Sequence, residues 1–130
     1  MSVIYAGSTP VYSVKILDES GVQLDPSNLG QVTEVKIFIY NSITGVEIGR
    51  FYLNNLPTGG TGWVKLPIPK TFGAGDVRIM LPLSSSQTRS AEGNSNMIQI
   101  DAHVVDADAP GGVRIDIRKG KFSEILPAKS

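Results

Sequence analysis

The 130-residue sequence contains no cysteine, and this absence removes several kinds of chemistry. Without cysteine there is no disulfide bond, no thiolate nucleophile and no cysteine-based zinc or iron–sulfur site. His103 is the single histidine, and no serine stands in the Gly-x-Ser-x-Gly pattern of a nucleophile elbow. A Ser-His-Asp triad would have to use that histidine. We therefore predict that the protein is not an enzyme and has no catalytic residues.

Charge is scarce and balanced. Charged residues make up 18% of the chain, and 12 Lys and Arg offset 12 Asp and Glu. A surface that neutralises nucleic-acid phosphates would be basic, so we expect no nucleic-acid partner. Zero net charge also gives little protection against self-association, which suits a subunit of an assembly.

Long apolar runs and a signal segment are missing as well. No run approaches the ~18 residues that a membrane-spanning helix needs. The start, Met1–Ser8, has neither the basic region nor the apolar stretch of a secretory signal. We therefore expect no membrane partner and synthesis in a cytosol, where the chain either stays or from which it leaves by a route other than a cleaved signal.

Patterns for small ligands are weak. Asp106-x-Asp108 followed by Gly111-Gly112 lacks the ligand spacing of a known calcium loop, and these residue types are ordinary in turns. We predict no metal site and no cofactor. Trp63 beside a second coplanar, exposed aromatic ring would form a platform for sugars. A carbohydrate- or surface-binding module is therefore the alternative function.

What the chain does have is short apolar–polar alternation, with glycines and prolines between the runs. This pattern predicts β-strands separated by turns. The alternation is clearest in four segments: Val32–Tyr40, Val77–Leu83, Met97–Val105 and Val113–Arg118. From it we predict that Ile37 and Ile115 are buried on facing sheets. The aliphatic residues fall on one face of their strand at positions 35, 37 and 39, at positions 77, 79 and 81, and at positions 98, 100, 102 and 104. Residues 11–17 are expected to form one further strand, and residues 72–76 a turn.

The whole chain is predicted to be an all-β fold of about seven to nine strands, arranged as an antiparallel sandwich. A small barrel is the alternative architecture. No segment has apolar residues at helical spacing over ten residues, so helix is limited to at most one short turn. The polar, serine-rich segment Ser84–Asn96 is predicted to be the longest loop.

Four segments carry a resemblance to a known family: Val14–Val22 with its Asp18–Gly21 turn, Val35–Asn41, Gly75–Ile79 and Gly112–Ile117. Their order resembles the immunoglobulin-like domains of tailed-phage structural proteins, such as the N-terminal domain of baseplate upper proteins and other capsid- or fibre-associated domains. The resemblance covers Tyr12 to Phe122. It implies an immunoglobulin-like β-sandwich without catalytic residues. The implied function is that of a virion structural protein making protein–protein contacts in the capsid, neck, tail or fibre attachment.

The two ends of the chain are apolar, although a free tail is usually polar. We divide the chain into an N-terminal arm at 1–10, the sandwich at 11–122 and a C-terminal tail at 123–130. At least one of these flexible or docking ends is predicted to bind another chain, either a copy of the same chain or another virion protein. The alternative is that both ends pad the edges of their own domain. The candidate partner-binding residues are Val3, Ile4, Tyr5, Ile125 and Leu126.

Overall fold

The computed structural model describes residues 4–18, 20–55, 57, 61–93, 95–122 and 124–127. Strands account for 54% of the described residues and helices for 8%, which confirms the predicted all-β class. The strands are β1 (Ile4–Tyr5), β2 (Val11–Val14), β3 (Ile16–Leu17), β4 (Gln23–Leu24), β5 (Val32–Asn41), β6 (Glu47–Leu53), β7 (Trp63–Lys65), β8 (Lys70–Gly73), β9 (Asp76–Pro82), β10 (Asn96–Val105), β11 (Val113–Lys121) and β12 (Ile125–Leu126). The helices are α1 (Ser85–Ser90) and a 3-10 turn (Pro110–Gly112).

The strands form two larger sheets and two strand pairs in the described part of the chain. The five-stranded sheet has the order β11-β10-β5-β6-β7, and the three-stranded sheet has the order β2-β9-β8. The pairs are β1-β12 and β3-β4. An entirely antiparallel arrangement was expected, but β6 pairs with β7, and β1 with β12, in parallel. Because β7 runs in the same direction as β6, a two-residue hairpin turn cannot join these two strands.

Two segments are divided differently from the prediction. Residues 11–17 were expected as one strand, but the strand breaks at Lys15, so that β2 pairs with β9 and β3 pairs with β4. Residues 72–76 were expected as a turn, but they contain the end of β8 and the start of β9. These breaks are one reason why the described strands outnumber the predicted seven to nine. The pairing of the two chain ends is the other.

The two larger sheets share one hydrophobic core. The five-stranded sheet contributes Ile37, which is completely buried, and Ile98, which is 8% exposed. The three-stranded sheet contributes Ile79 and Leu81, both completely buried. The one-sided apolar faces predicted from alternation for β5, β9 and β10 are therefore confirmed, and in each strand this face packs into the core.

The segment predicted as the longest loop, Ser84–Asn96, instead contains α1 and the first residue of β10. The side chain of Ser84 accepts a hydrogen bond from the backbone N–H of Gln87 at 3.2 Å. The side chain of Gln87 in turn accepts one from the backbone N–H of Ser84 at 2.9 Å. This reciprocal capping box satisfies two backbone donors and fixes the start of the helix.

Polar contacts hold α1 on the protein. Thr88 is completely buried; its hydroxyl donates to the carbonyl of Ser8 at 2.8 Å and accepts from the N–H of Gly7 at 2.9 Å. These bonds tie the helix to the segment that follows β1. A helix anchored in this way needs no apolar stripe, which is why hydrophobic spacing did not predict it.

Gly49 in β6 lies where a larger residue does not fit. A Cβ atom there would be 2.7 and 2.9 Å from the ring of Phe51 and 2.8 Å from Nε2 of Gln87. Because Phe51 is 1% exposed and packed in the core, its ring has little room to move. We expect Gly49→Ala to lower the free energy of unfolding by about 1–3 kcal/mol in chemical denaturation. Gly120→Ala is the matched control, since no atom lies within 4 Å of its Cβ position. Equal effects of the two variants would contradict the overpacking argument.

Candidate interaction surface

Strand β11 is an edge of the five-stranded sheet in the described part of the chain. The backbone N–H of Asp106 donates to the carbonyl of Gly112 at 3.0 Å, and that of Phe122 donates to the carbonyl of Asn96 at 2.8 Å. These two bonds bracket the antiparallel ladder between β10 and β11. Antiparallel strands bond through alternate residue pairs. The even-numbered residues of β11 therefore bond to β10, and the odd-numbered residues direct their N–H and C=O groups to the open edge.

The apolar side chains of β11 lie on the outer face of the sheet. Asp116 is directly opposite Ala102, which is 3% exposed in the core. Directly opposite residues share a face, so the charged residues of β11 are on the core side and the isoleucines face solvent. Ile115 and Ile117 are each 57% exposed. We call the outward main-chain groups of Val113–Lys121, together with these two isoleucine side chains, the β11 edge.

The prediction that Ile37 and Ile115 are both buried on facing sheets is wrong. The two residues belong to the same sheet, and only Ile37 is buried. Alternation defines two faces of a strand but does not say which one points inward. At the edge of a sheet, a long charged side chain on the core side still reaches water or a charged partner. The usual cost of burying a charge therefore does not exclude Arg114 from the core side of β11.

Arg114 connects the charged groups on the core side of β11. Its Nε and Nη2 atoms donate to the carboxylate of Asp116 at 2.8 and 3.1 Å, and its Nη1 donates to Asp106 at 2.6 Å. A hydrogen bond from the backbone N–H of Asp108, together with Arg114, lowers the pKa of Asp106 from its ordinary value. Further along the same face, the side chain of Arg118 has no hydrogen bond or ion pair in the described part of the chain. The cation of Arg118 is thus available to a partner.

His103 lies on the outer face of β10, directly opposite Ile115. Its Nδ1 atom is 3.0 Å from Oε1 of Glu34, and the two side chains are 18% and 20% exposed. No serine among the described residues is hydrogen-bonded to this imidazole. The pair is a cross-strand polar contact, and it lacks the nucleophile that a hydrolytic triad requires.

The residues predicted to bind partners at the chain ends divide into two groups. Ile4 is 5% exposed and Ile125 is 1% exposed, and they pair with each other in the register of β1 and β12. Both belong to the core of this chain, so in this conformation they offer no surface to a partner. Tyr5 is 50% exposed and Leu126 is half-buried, and their role in partner binding stays a prediction. Val3 lies outside the described residues.

Trp63, the residue considered for sugar stacking, packs against Phe38. The ring centroids are 5.3 Å apart and the planes meet at 67°. The guanidinium carbon of Arg50 is 5.8 Å from the centroid of the Trp63 ring. Edge-to-face contact is ordinary aromatic packing, whereas a sugar platform needs an exposed ring face or coplanar rings. This ring pair does not supply the feature that would favour a carbohydrate-binding module.

A cavity of about 270 Å³ lies between the β3–β4 hairpin and the core side of β10 and β11. Its lining includes Lys15, Ile16, Leu17, Asp18, Gly21, Ile100, Ala102, Asp116 and Arg118. Two acidic and two basic side chains balance each other there, so the lining favours neither an anion nor a cation. Because Asp116 and Arg118 belong to β11, the cavity reaches the core side of this strand.

In the part of the chain that the structure describes, no group of three His, Asp or Glu residues is placed to hold a metal ion. No helix there is long and apolar enough to cross a membrane. Searches of protein-family models, curated proteins and solved structures find no match. A function can therefore be inferred only from this chain's own residues. Among the described residues, the β11 edge combines main-chain groups that no described strand pairs with and exposed apolar side chains.

Proposed function

We propose that this chain is a non-enzymatic structural protein of a tailed-phage virion that makes protein–protein contacts in the capsid, neck, tail or fibre attachment. In this proposal the five-stranded and three-stranded sheets are the two layers of an immunoglobulin-like β-sandwich. The partners are other virion proteins or copies of the same chain. The order of strands and turns that resembles phage immunoglobulin-like domains supports the proposal. So does the balance of 12 basic and 12 acidic residues.

The β11 edge is the observation that carries the proposal. An edge strand presents unpaired N–H and C=O groups on which a strand of another chain can form hydrogen bonds. In β11 this edge is nine residues long. Single exposed apolar residues are normal on protein surfaces. Here, however, Ile115 and Ile117 are successive residues on the outer face of the edge strand, and Val105 on the same face of β10, opposite Val113, is 43% exposed.

Charges on β11 restrict which partner it can accept. Lys119 and Lys121 project from its outer face, and Arg114, Asp116 and Arg118 project from its core side. Lysines and inward-pointing charges are the devices by which edge strands avoid indiscriminate pairing. A partner strand at the β11 edge must therefore place an acidic residue opposite Arg118 and no basic residue opposite the two lysines, which makes the contact selective.

Particle composition tests the virion assignment. Phage particles purified on a density gradient from the source of this chain should contain it in a fixed ratio to the other particle proteins, as measured by quantitative mass spectrometry. Fixed stoichiometry distinguishes a structural component from a contaminant. Complete particles without the chain, with all of it left in the soluble fraction of lysed cells, would contradict the proposal.

A proline at position 117 tests the role of the β11 edge. The N–H of Ile117 points to the open edge, so Ile117→Pro removes a donor that the fold does not use. We expect a change in unfolding free energy of at most about 1 kcal/mol and loss of incorporation into particles when the variant is the only source of the chain. Ile117→Val is the matched control, because it keeps the donor and a β-branched side chain. Normal incorporation of the proline variant would show that this edge makes no contact that assembly of the particle requires.

A further inference from the structure

We propose that the partner at the β11 edge is a second copy of this chain, paired antiparallel through β11 with Ile117 opposite Ile117. The pairing would join two five-stranded sheets into one continuous sheet of ten strands around a two-fold axis. This inference rests on the proposed function, because it names the partner that binds to the β11 edge. Main-chain position, charge and side-chain character each support this register.

The main chain favours a register centred on Ile117. Ile117 is the middle residue of β11, so this is the register in which Val113–Lys121 overlaps its copy along its whole length. Every odd-numbered residue is then opposite another odd-numbered residue: 113 faces 121, 115 faces 119 and 117 faces itself. All of these residues direct their N–H and C=O groups to the open edge, so each opposed pair exchanges two hydrogen bonds.

Charge selects the same register. With Ile117 at the centre, Asp116 of each copy is directly opposite Arg118 of the other, and the two-fold axis makes this ion pair twice. These positions form a non-hydrogen-bonded pair, in which opposed Cα atoms are about 4.5 Å apart and side chains meet most closely. Arg118 has no side-chain partner in the described part of the chain, so it can form this contact without breaking another.

Neighbouring registers are less favourable. A register centred on Asp116 puts the two carboxylates opposite each other, and like charges in that position are destabilising. A register centred on Ile115 overlaps only residues 113–117 of β11 and leaves the rest of each strand unpaired. With Ile117 at the centre, the two Ile117 side chains also cover each other on the outer face, where each is 57% exposed in the single chain.

Single cysteines test the proposal directly, because the natural chain has none. In a hydrogen-bonded antiparallel pair the Cα atoms are about 5.5 Å apart, which a disulfide can bridge. Position 115 of one copy would lie about 13 Å from position 115 of the other along the strands, which a disulfide cannot bridge. With diamide as oxidant, Ile117→Cys should form a disulfide-linked dimer at least about tenfold faster than Ile115→Cys, measured on non-reducing gels. Faster linkage through position 115 would overturn the register.

Charge exchange provides a second test that needs no oxidation. Arg118→Asp gives a chain with two acids at the paired positions, and Asp116→Arg gives one with two bases, so neither variant should pair with itself. In an equimolar mixture each acid meets a base, and the dimer should return in sedimentation velocity. Thermal unfolding of each variant verifies that it is folded, since Asp116 also binds Arg114. Two folded variants that stay monomeric when mixed would overturn the pairing.

The proposed function can survive failure of this inference. A natural chain that remains monomeric at about 0.5 mM, with no disulfide-linked dimer of the Ile117→Cys variant, would overturn pairing with a second copy. If Ile117→Pro still abolished incorporation into particles, the β11 edge would bind a different virion protein. If the Ile117→Cys variant forms the linked dimer and Ile117→Pro is incorporated normally, the copies pair but the proposed virion contact is wrong.

Discussion

Replacing Ile37 with alanine is expected to lower the free energy of unfolding by about 2–5 kcal/mol. Ile37 is completely buried in the middle of β5, between β10 and β6. Its neighbours across the ladders, Ile100 and Phe51, belong to or pack against the same core. The alanine would leave a cavity that two sheets cannot collapse to fill. Urea or guanidinium denaturation of the natural protein and of Ile37→Ala measures the difference in unfolding free energy.

Ile115→Ala is the matched control for this experiment. It removes the same atoms from the same sheet, but Ile115 is 57% exposed on β11. We expect a loss below about 1 kcal/mol, since much of the side chain is already in water. If Ile115→Ala were as destabilising as Ile37→Ala, the isoleucines of β11 would face the core and the β11 edge would lose its apolar side chains.

Central strands could be predicted from the sequence together with their inner faces. In β5, Val35, Ile37 and Ile39 alternate with charged and aromatic residues, and all three are at most 1% exposed. In β9, the three apolar residues assigned to one face, at positions 77, 79 and 81, are likewise buried. A central strand has a neighbour at each edge, so a charged side chain on its core side could not reach water past the edge of the sheet. The apolar face is therefore the inner one.

The candidate surface could be predicted only in part. Val113–Arg118 was correctly predicted as a strand, but the exposure of Ile115 and Ile117 was not. The segment alternates isoleucines with Arg114 and Asp116, and either face could have been inner. Which face is inner depends on the position of β11 at the sheet edge and on the ion pairs of Arg114, and neither is a local property of the sequence.

Helix α1 was missed although a local signal was present. Ser84 and Gln87 have the spacing of a capping box, Ser-x-x-Gln, but no apolar stripe follows them. Hydrophobic periodicity does not reveal a short helix that is anchored by Thr88, because such a helix has no apolar stripe.

The pairing of the chain ends could not be predicted for a different reason. Ile4 and Ile125 are at opposite ends of the sequence, and local patterns contain no information on which distant strands will meet.

The second large effect is expected at the C-terminus. Deleting residues 123–130 removes β12, and we expect the midpoint of thermal unfolding to fall by on the order of 10 °C. Ile125 is 1% exposed and pairs with Ile4, and its backbone exchanges two hydrogen bonds with Gly93, at 2.8 and 2.9 Å. The N–H of Ala6 also donates to the carbonyl of Leu126 at 2.8 Å. Calorimetry or circular dichroism would measure the midpoint.

Two point variants separate a structural role of this segment from a role in partner binding. Ile125→Ala should cost about 2–5 kcal/mol of unfolding free energy. Leu126→Ala should cost less, because Leu126 is only half-buried. Both variants keep the chain full length, so they distinguish loss of core packing from loss of residues at the end. A truncated chain that keeps its midpoint but no longer enters particles would mean that the C-terminal segment binds a partner. In that case Ile125 would exchange its contact with Ile4 for one on another chain.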